Sequence, residues 1–173
     1  YVCDQTHASI AKALRLLGFM PAQIRCVPSD DAFRFDVARL AAQIIADRGA
    51  GLRPFVVIAS AGSTNTGAID PLPSLHALAA REGMWLHVDG AFGASAALAP
   101  ALRPLLAGIE LADSVAWDAH KWLFQTYGCG VVLLRDRRLL QGSFALPQAE
   151  YLDDMHLSDT RRDDAPLGDD PAF

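Results

Sequence analysis

The stretch of sequence that decides the fold is PFVVIASAGSTNTGAIDPLPSLHALAAREGMWLHVDGA, residues 54–91. Residues 54–60 form a continuous apolar run of strand length, and a polar turn that contains glycine follows them. Residues 70–83 are typical of a helix, because Asp-Pro begins the segment and a glycine ends it. Residues 84–88 form a second apolar strand. Strands that are apolar throughout and joined by a helix indicate a mainly parallel sheet that is covered on both faces.

The same alternation of strands and helices continues on both sides of this stretch. Upstream, the sequence predicts a helix that Asp4 caps and that runs to about Leu17, a short strand at residues 24–27, and a helix that Asp36 caps. Downstream, two further strands are predicted, and the short gap between them suits an antiparallel pair. They span residues 114–117 and 130–134. The helix after Asp36 has one apolar face, made of Val37, Leu40, Ala41, Ile44 and Ile45.

The composition is that of a soluble globular protein. The chain has 173 residues, 51% of them hydrophobic, which is enough to bury one core. Its formal net charge of -5 comes largely from acidic residues near the C-terminus, so no nucleic-acid surface is expected. The longest apolar runs have strand length, which predicts neither a membrane span nor a signal peptide. The chain begins without Met and is expected to be an excerpt of a longer protein.

The cysteines and the C-terminal composition add two expectations. Cys3, Cys26 and Cys129 are odd in number and far apart, which argues against a disulfide framework and a zinc cluster and favours a cytoplasmic location. Residues 153–173 are rich in Asp, Arg, Pro and Gly, with few apolar residues. We therefore expect residues 1–152 to belong to a folded domain and residues 153–173 to form an acidic, mobile loop.

Chemically useful residues follow three of the predicted strands. Ser63 and Thr64 follow the first strand of the quoted stretch, Asp89 follows the second, and Lys121 follows the strand at 114–117. In α/β sheets, functional groups collect at the carboxyl ends of parallel strands. A lysine and an aspartate are therefore expected to face one crevice.

The pair of Lys121 and Asp89 meets two needs of a pyridoxal phosphate (PLP) site. A lysine amine forms an imine with the cofactor aldehyde, and a carboxylate beside the ring nitrogen keeps that nitrogen protonated. Ser63, Thr64 and Ser114 are candidate phosphate ligands. Each residue also has an ordinary explanation, because a lysine after a strand is usually a solvated charge and an aspartate there usually caps a helix.

Four motifs in order give the sequence a specific resemblance to a known family. They are DQTHAS at residues 4–9, AGSTNTGAIDP at 61–71, WLHVDGA at 85–91 and HKW at 120–122. Together they resemble the group II PLP-dependent amino-acid decarboxylases, which include aromatic-L-amino-acid decarboxylase. The resemblance covers roughly residues 1–152. It implies an incomplete large domain of a fold-type-I PLP enzyme, an aminotransferase-like α/β/α sandwich with a mainly parallel sheet.

The resemblance also implies a role for each matching residue. Lys121 would carry the cofactor as a Schiff base, Asp89 would bind the pyridine nitrogen, and His7 would stack on the ring and help to position the substrate. Ala91 would pack on the other face of the ring. The remaining positions on the cofactor side are Ser63, Ser114, Asp118 and His120.

Two positions depart from the common pattern of the family. Ala119 stands where relatives commonly have Pro, and Asp118 stands where many have Asn. A carboxylate near a phosphate is mildly repulsive, so a direct phosphate contact by Asp118 is disfavoured. By resemblance, the family's phosphate-binding serine segment would precede Tyr1 and its catalytic-loop tyrosine would follow Phe173. The 173 residues alone are therefore expected to be inactive.

The activity that the resemblance implies is decarboxylation of an L-amino acid, with aromatic side chains favoured, to the amine and carbon dioxide. It would proceed through the Lys121 Schiff base and a quinonoid intermediate in a cytoplasmic homodimer. Other fold-type-I reactions, such as transamination or cysteine desulfuration, use the same Asp and Lys pair and remain alternatives, as does a non-catalytic homologue that acts as a binding or dimerisation module.

Hydrolase and dinucleotide-binding functions are disfavoured, because neither G-x-S-x-G nor G-x-G-x-x-G occurs. A metal site is likewise not expected, because His87 and Asp89 have no third ligand at a suitable spacing.

Overall fold

A six-stranded sheet organises the part of the chain that the structure, a computed structural model, describes, which is residues 1–144. Its strands are β1 (Val2–Cys3), β2 (Cys26–Val27), β3 (Val56–Ser60), β4 (Trp85–Asp89), β5 (Ser114–Asp118) and β6 (Gly130–Leu134). The order across the sheet is β2-β1-β3-β4-β5-β6. All neighbours are parallel except β5 and β6, which are antiparallel. The predicted parallel sheet and its antiparallel pair are both confirmed.

Five α-helices connect or follow these strands within the described residues. They are α1 (Ala8–Leu16), α2 (Val37–Gly49), α3 (Leu72–Arg81), α4 (Ala119–Trp122) and α5 (Arg137–Phe144). The chain divides into two compact units, Tyr1–Asp136 and Arg137–Phe173, so α5 belongs to the second unit. The loop predicted at 153–173 and the boundary predicted at residue 152 lie outside the described residues. None of the described helices is long and apolar enough to cross a membrane.

Helix α2 begins where the sequence predicts, and its buried face differs from the prediction at one position. The Asp36 carboxylate accepts hydrogen bonds from the backbone N–H groups of Ala38 and Arg39, which is an ordinary N-cap. Ile45 was expected on the buried face and is instead 71% exposed. Asp47 is buried in the same helix, and its carboxylate pairs with Arg25 at 3.0 Å.

The start of α1 corrects a second prediction. The cap is His7, whose ring accepts from the N–H of Ser9, and the helix begins at Ala8. Asp4 does not cap it, because its carboxylate accepts instead from the N–H of Ser29. The helix has no buried residue.

The core lies between one face of the sheet and helices α2 and α3. Strand β4 alternates, so that Leu86 and Val88 are fully buried in the core. The alternate residues of the strand, Trp85, His87 and Asp89, are half-buried and lie on the opposite face. That opposite face therefore carries the polar groups of β4.

The buried carboxylate of Asp70 holds the loop after β3 against the sheet. One of its oxygens accepts from the N–H of Phe35 and the other from the N–H of Ser60, both at 2.7 Å. Burial raises the pKa of this carboxyl group, while the two hydrogen bonds oppose the rise. A bridge between Ala61 and Ile69 closes the same loop. The position of residues 62–67 is therefore fixed by the fold.

Candidate active site

Four predicted site residues leave the sheet at the same edge. His7 follows β1, Ser63 follows β3, Asp89 ends β4 and Lys121 follows β5. These four strands are adjacent and parallel, so their carboxyl ends lie side by side. In the register of the sheet, Asp89 pairs with Ser60 on one side and with Ala116 on the other. The four residues therefore lie at the carboxyl ends of neighbouring strands, where functional groups of α/β sheets collect, and the crevice between them stays a prediction.

Lys121 lies on the single turn of α4, directly after β5. Its Nζ forms an ion pair with Oδ2 of Asp118 at 3.1 Å, and the lysine side chain is 36% exposed. His120 approaches the same oxygen through Nε2 at 4.0 Å. The amine is therefore accessible and has one close carboxylate partner.

Asp89 is held in one orientation by its own turn. Its Oδ1 accepts a hydrogen bond from the N–H of Ala91 at 3.1 Å, and no donor within residues 1–144 binds Oδ2. The next helical turn begins only at Ala94, so Asp89 is not an ordinary helix cap. One carboxylate oxygen thus remains available as an acceptor.

His87, two residues before Asp89, belongs to a hydrogen-bonded group of three side chains with Trp85 and Ser114. The Ser114 hydroxyl accepts from Nε1 of Trp85 and lies 2.8 Å from Nδ1 of His87. Burial lowers the pKa of His87, and the negative charge of Asp89 opposes this only in part. The imidazole is therefore neutral near pH 7, and we infer that the Ser114 O–H donates to Nδ1.

Ser114 was predicted to lie on the phosphate side of the cofactor. Its hydroxyl is occupied by Trp85 and His87 and sits at the start of β5, whereas Lys121 follows the end of that strand. This geometry favours a supporting role behind Asp89. The cofactor contact of Ser114 stays a prediction.

His7 presents an exposed ring whose tautomer follows from its contacts. The N–H of Ser9 points at Nδ1 from 3.3 Å, and the Ser9 hydroxyl lies 2.8 Å from the same nitrogen. Because Nδ1 accepts from the backbone, we infer that the proton of the neutral ring is on Nε2. Ser9, two residues after the cap, was not singled out from the sequence, although a hydroxyl at this spacing is a recognisable signal.

Ser63 is buried in the turn after β3, against the turn after β4. Its hydroxyl lies 2.7 Å from the hydroxyl of Thr66. Gly62 has a φ of +88°, which suits glycine, and touches Gly93. A Cβ on Gly93 would overlap the carbonyl oxygen of Ala61. The segments that carry Ser63 and Ala91 can approach this closely only because both contact positions are glycine.

The residues on either side of Lys121 in the sequence, His120 and Trp122, each pack against an aromatic ring. Phe92 and Trp122 meet edge to face with ring centroids 5.5 Å apart. His120 contacts Tyr127 in the same manner at 5.0 Å, and its Nδ1 lies 3.1 Å from the carbonyl oxygen of Cys129. Neither ring pair was predicted from the sequence.

The donor set at this edge fits PLP. Lys121 offers an accessible amine, Asp89 offers a free carboxylate oxygen, and His7 offers an exposed imidazole. Within residues 1–144, no hydrogen bond joins these three side chains to one another. A lysine for the aldehyde and an acid for the ring nitrogen are the groups that this cofactor requires. Whether each predicted residue contacts it stays a prediction.

Comparison with known proteins finds similarity to amino-acid decarboxylases. Residues 1–168 match the model of the pyridoxal-dependent decarboxylase conserved domain. The chain is 46% identical to aromatic-L-amino-acid decarboxylase of Bacillus atrophaeus, over 89% of this chain and 32% of that protein. It is 41% identical to tryptophan decarboxylase 1 of Oryza sativa subsp. japonica, over 92% of this chain and 31% of that protein.

The fold agrees with solved structures of such enzymes. The crystal structure of Oryza sativa TDC with PLP and tryptamine matches with a TM-score of 0.83 and 39% identity, over 92% of this chain and 34% of that one. The predicted fold class, an incomplete fold-type-I large domain, is confirmed. The chain spans about a third of the length of the relatives that it matches. The family model matches residues 1–168, and the relatives are similar over about nine-tenths of the chain. This chain therefore belongs to the pyridoxal-dependent decarboxylase family.

Proposed function

We propose that the protein is a PLP-dependent decarboxylase that converts an L-amino acid to the amine and carbon dioxide. The observation that carries this proposal is the placement of Asp89 and Lys121 at the carboxyl ends of two adjacent parallel strands. An accessible amine and an unoccupied carboxylate oxygen lie at one edge of the sheet. Family membership supports the same reaction.

When bound, PLP supplies a protonated ring that accepts the electron pair released as the α-carboxylate leaves. Lys121 would hold the cofactor through Nζ, whose amine can form an imine with the cofactor aldehyde. Asp89 would keep the ring nitrogen protonated, and the N–H of Ala91 holds its carboxylate in position. His7 would orient the substrate with its exposed ring, and Ala91 would pack on the cofactor. Ser63 and His120 would lie on the cofactor side.

Aromatic L-amino acids are the proposed substrates. The decarboxylases of Bacillus atrophaeus and Oryza sativa are named for aromatic amino acids. In this chain, the edge-to-face pair of Phe92 and Trp122 adjoins Lys121 and supplies an aromatic surface against which a ring can pack.

The residue that carries the cofactor is tested by reductive labelling. Full-length protein that carries this sequence is incubated with PLP and reduced with borohydride, and its peptides are mapped. The pyridoxyl group should be on Lys121 and absent from Lys12, the exposed lysine of α1, which serves as an internal control. Label on Lys12 with none on Lys121 would refute the assignment.

The reaction is tested with a panel of L-amino acids. Carbon dioxide should be released in equal amount to the amine, fastest with aromatic substrates. A transaminase would instead give a keto acid, and a cysteine desulfurase would give alanine and transferable sulfur. A non-catalytic homologue would give none of these products.

We also propose that the full-length protein is a homodimer. Phe124 and Tyr127, in the loop after α4, are 94% and 91% exposed. Aromatic side chains are enriched at protein interfaces, where a partner subunit removes them from water. Light scattering after size-exclusion chromatography should give twice the mass of one chain, and the mass of one chain would contradict the proposal.

A cytoplasmic location is proposed as well. Cys3, Cys26 and Cys129 are all free thiols in the structure. Reduced cysteines are usual in the cytosol, where glutathione and thioredoxin maintain them. Cell fractionation should recover the protein with cytosolic markers.

A further inference from the structure

The carboxylate of Asp118 binds a lysine, although its position is that of a helix cap. Asp118 stands at the N-cap of α4, yet its side chain makes no capping hydrogen bond to the backbone. Its Oδ2 instead lies 3.1 Å from Nζ of Lys121. An aspartate at an N-cap ordinarily binds the N–H groups of the first turn. Here the ion pair with the lysine has taken precedence over the cap.

Two further residues, Gly130 and His120, lie beside the carboxylate of Asp118. It pairs with Gly130 across the antiparallel strands, and a Cβ at Gly130 would contact Oδ1 of Asp118 at 3.4 Å. His120 is the second titratable group that faces the carboxylate, at 4.0 Å. The side chains of Asp118 and Lys121 are 26% and 36% exposed, so solvent screens the pair only in part.

This pairing bears on how the lysine captures an aldehyde. Nζ must leave the ion pair and release one proton to solvent, because an ammonium group has no lone pair. The lone pair then forms a bond to the carbonyl carbon. As the C=O bond is replaced by C=N, the oxygen leaves as water with the two remaining amine hydrogens.

We propose that Asp118 is a positioning residue that holds the Lys121 amine as an ion pair in the cofactor-free protein and thereby slows aldehyde capture. The inference rests on the proposed function of Lys121 and goes beyond it, because it concerns the lysine before any cofactor is bound. Replacing Asp118 by Asn should remove the negative charge and free the Lys121 amine, while a side chain of the same size remains at the cap position.

The test follows aldehyde capture by cofactor-free, full-length protein in a stopped-flow spectrophotometer. Pyridoxal and PLP are used separately, so that an effect on the phosphate is distinguished from an effect on the amine. Asp118→Asn should react about two- to fivefold faster than the wild type with both aldehydes, the range expected for a partly exposed pair. The difference should shrink in about 1 M salt, which screens ion pairs.

Three variants complete the design. Asp118→Glu keeps the charge and should remain close to the wild-type rate, and Asp118→Ser is a second neutral variant should the Asn protein fold poorly. Asp31→Asn removes an exposed carboxylate in the loop before α2 and should leave the rate unchanged. Equal rates for the wild type and the neutral variants with pyridoxal would overturn the proposal. A gain seen with PLP alone would also overturn it, because Asp118 would then act by repelling the phosphate.

A second measurement separates this inference from the proposed function. A neutral acetylating ester labels free amines, and the label on Lys121 is compared with that on Lys12 by peptide mapping. Asp118→Asn should raise the ratio of Lys121 to Lys12 labelling by the same factor. If it does so and no variant binds an aldehyde, the proposed function fails and the ion pair stands. An unchanged ratio would overturn the ion pair whatever the aldehyde does.

Discussion

At the scale of single residues, the site combines the negative charge of Asp89 with a His87 side chain that stays neutral. Asp89 is fixed by the N–H of Ala91, and no donor within residues 1–144 binds its second oxygen. His87 lies two residues earlier on the same face of β4, where burial lowers its pKa. A neutral His87 leaves the charge of Asp89 uncompensated, so that the carboxylate can stabilise a proton on a bound ring.

The substitution Asp89→Asn should leave PLP bound but reduce kcat about 10²- to 10³-fold, the range for losing one electrostatic group in a transition state. A neutral amide can still hydrogen-bond the ring nitrogen, but it does not hold the proton there. Steady-state kinetics and PLP titration separate the two effects. Asp31→Asn, with the same change of charge at an exposed site, is the control, and near-normal kcat in Asp89→Asn would exclude the proposed role.

His87 should make stability depend on pH below neutrality. Its folded pKa is lower than the ordinary value of 6.5, so its contribution is fully present above pH 6.5 and is lost as the pH falls through the folded pKa. His87→Gln keeps an acceptor for Ser114 without a titrating ring. Between pH 7.5 and 5, full-length wild type should lose more unfolding free energy than the variant in denaturant titrations. Equal losses would show that His87 titrates normally.

At the scale of secondary-structure elements, the fold brings the segments after β3 and β4 together. The buried Asp70 fixes one segment through Phe35 and Ser60. Close contact of Gly62 with Gly93 joins it to the other. The position of Ser63 relative to Ala91 therefore depends on backbone packing more than on side-chain contacts.

Gly93→Ala should destabilise the protein by about 1–3 kcal/mol and weaken PLP binding, because the new Cβ would displace the carbonyl of Ala61. Gly49→Ala is the matched control, since Gly49 ends α2 and a Cβ there meets nothing within 4 Å. Denaturant titration and PLP absorbance measure the two effects. A Gly93→Ala protein as stable as Gly49→Ala would show that the two turns tolerate separation.

Most elements were predictable from sequence, and the failures share a cause. The continuous apolar run of β3 and the cap at Asp36 depend on neighbouring residues, so local patterns reveal them. Asp4 was assigned the wrong role because its partner, Ser29, is 25 residues away. The burial of Asp47 was likewise not predicted, because its partner Arg25 is 22 residues away. At the site, the spacing of Asp118 and Lys121 permits an ion pair, but sequence does not show which partner the carboxylate chooses.

At the scale of the whole molecule, much apolar surface of the chain faces solvent. Leu16 and Leu17 at the end of α1 are 89% and 75% exposed, and that helix buries no residue. The relatives that match are about three times as long as the part that aligns with this chain. The site itself is open, with the Lys121 side chain more than a third exposed.

A protein made of these 173 residues alone should therefore bind PLP weakly and release no measurable carbon dioxide. An open site admits water to the lysine, and the hydroxyls of Ser63 and Ser114 already have side-chain partners, which leaves few donors for a phosphate. The exposed leucines should also bind a hydrophobic dye. PLP absorbance, dye fluorescence and carbon dioxide release are compared with those of a full-length member of the family. Robust carbon dioxide release from residues 1–173 would show that this edge of the sheet is sufficient for catalysis by itself.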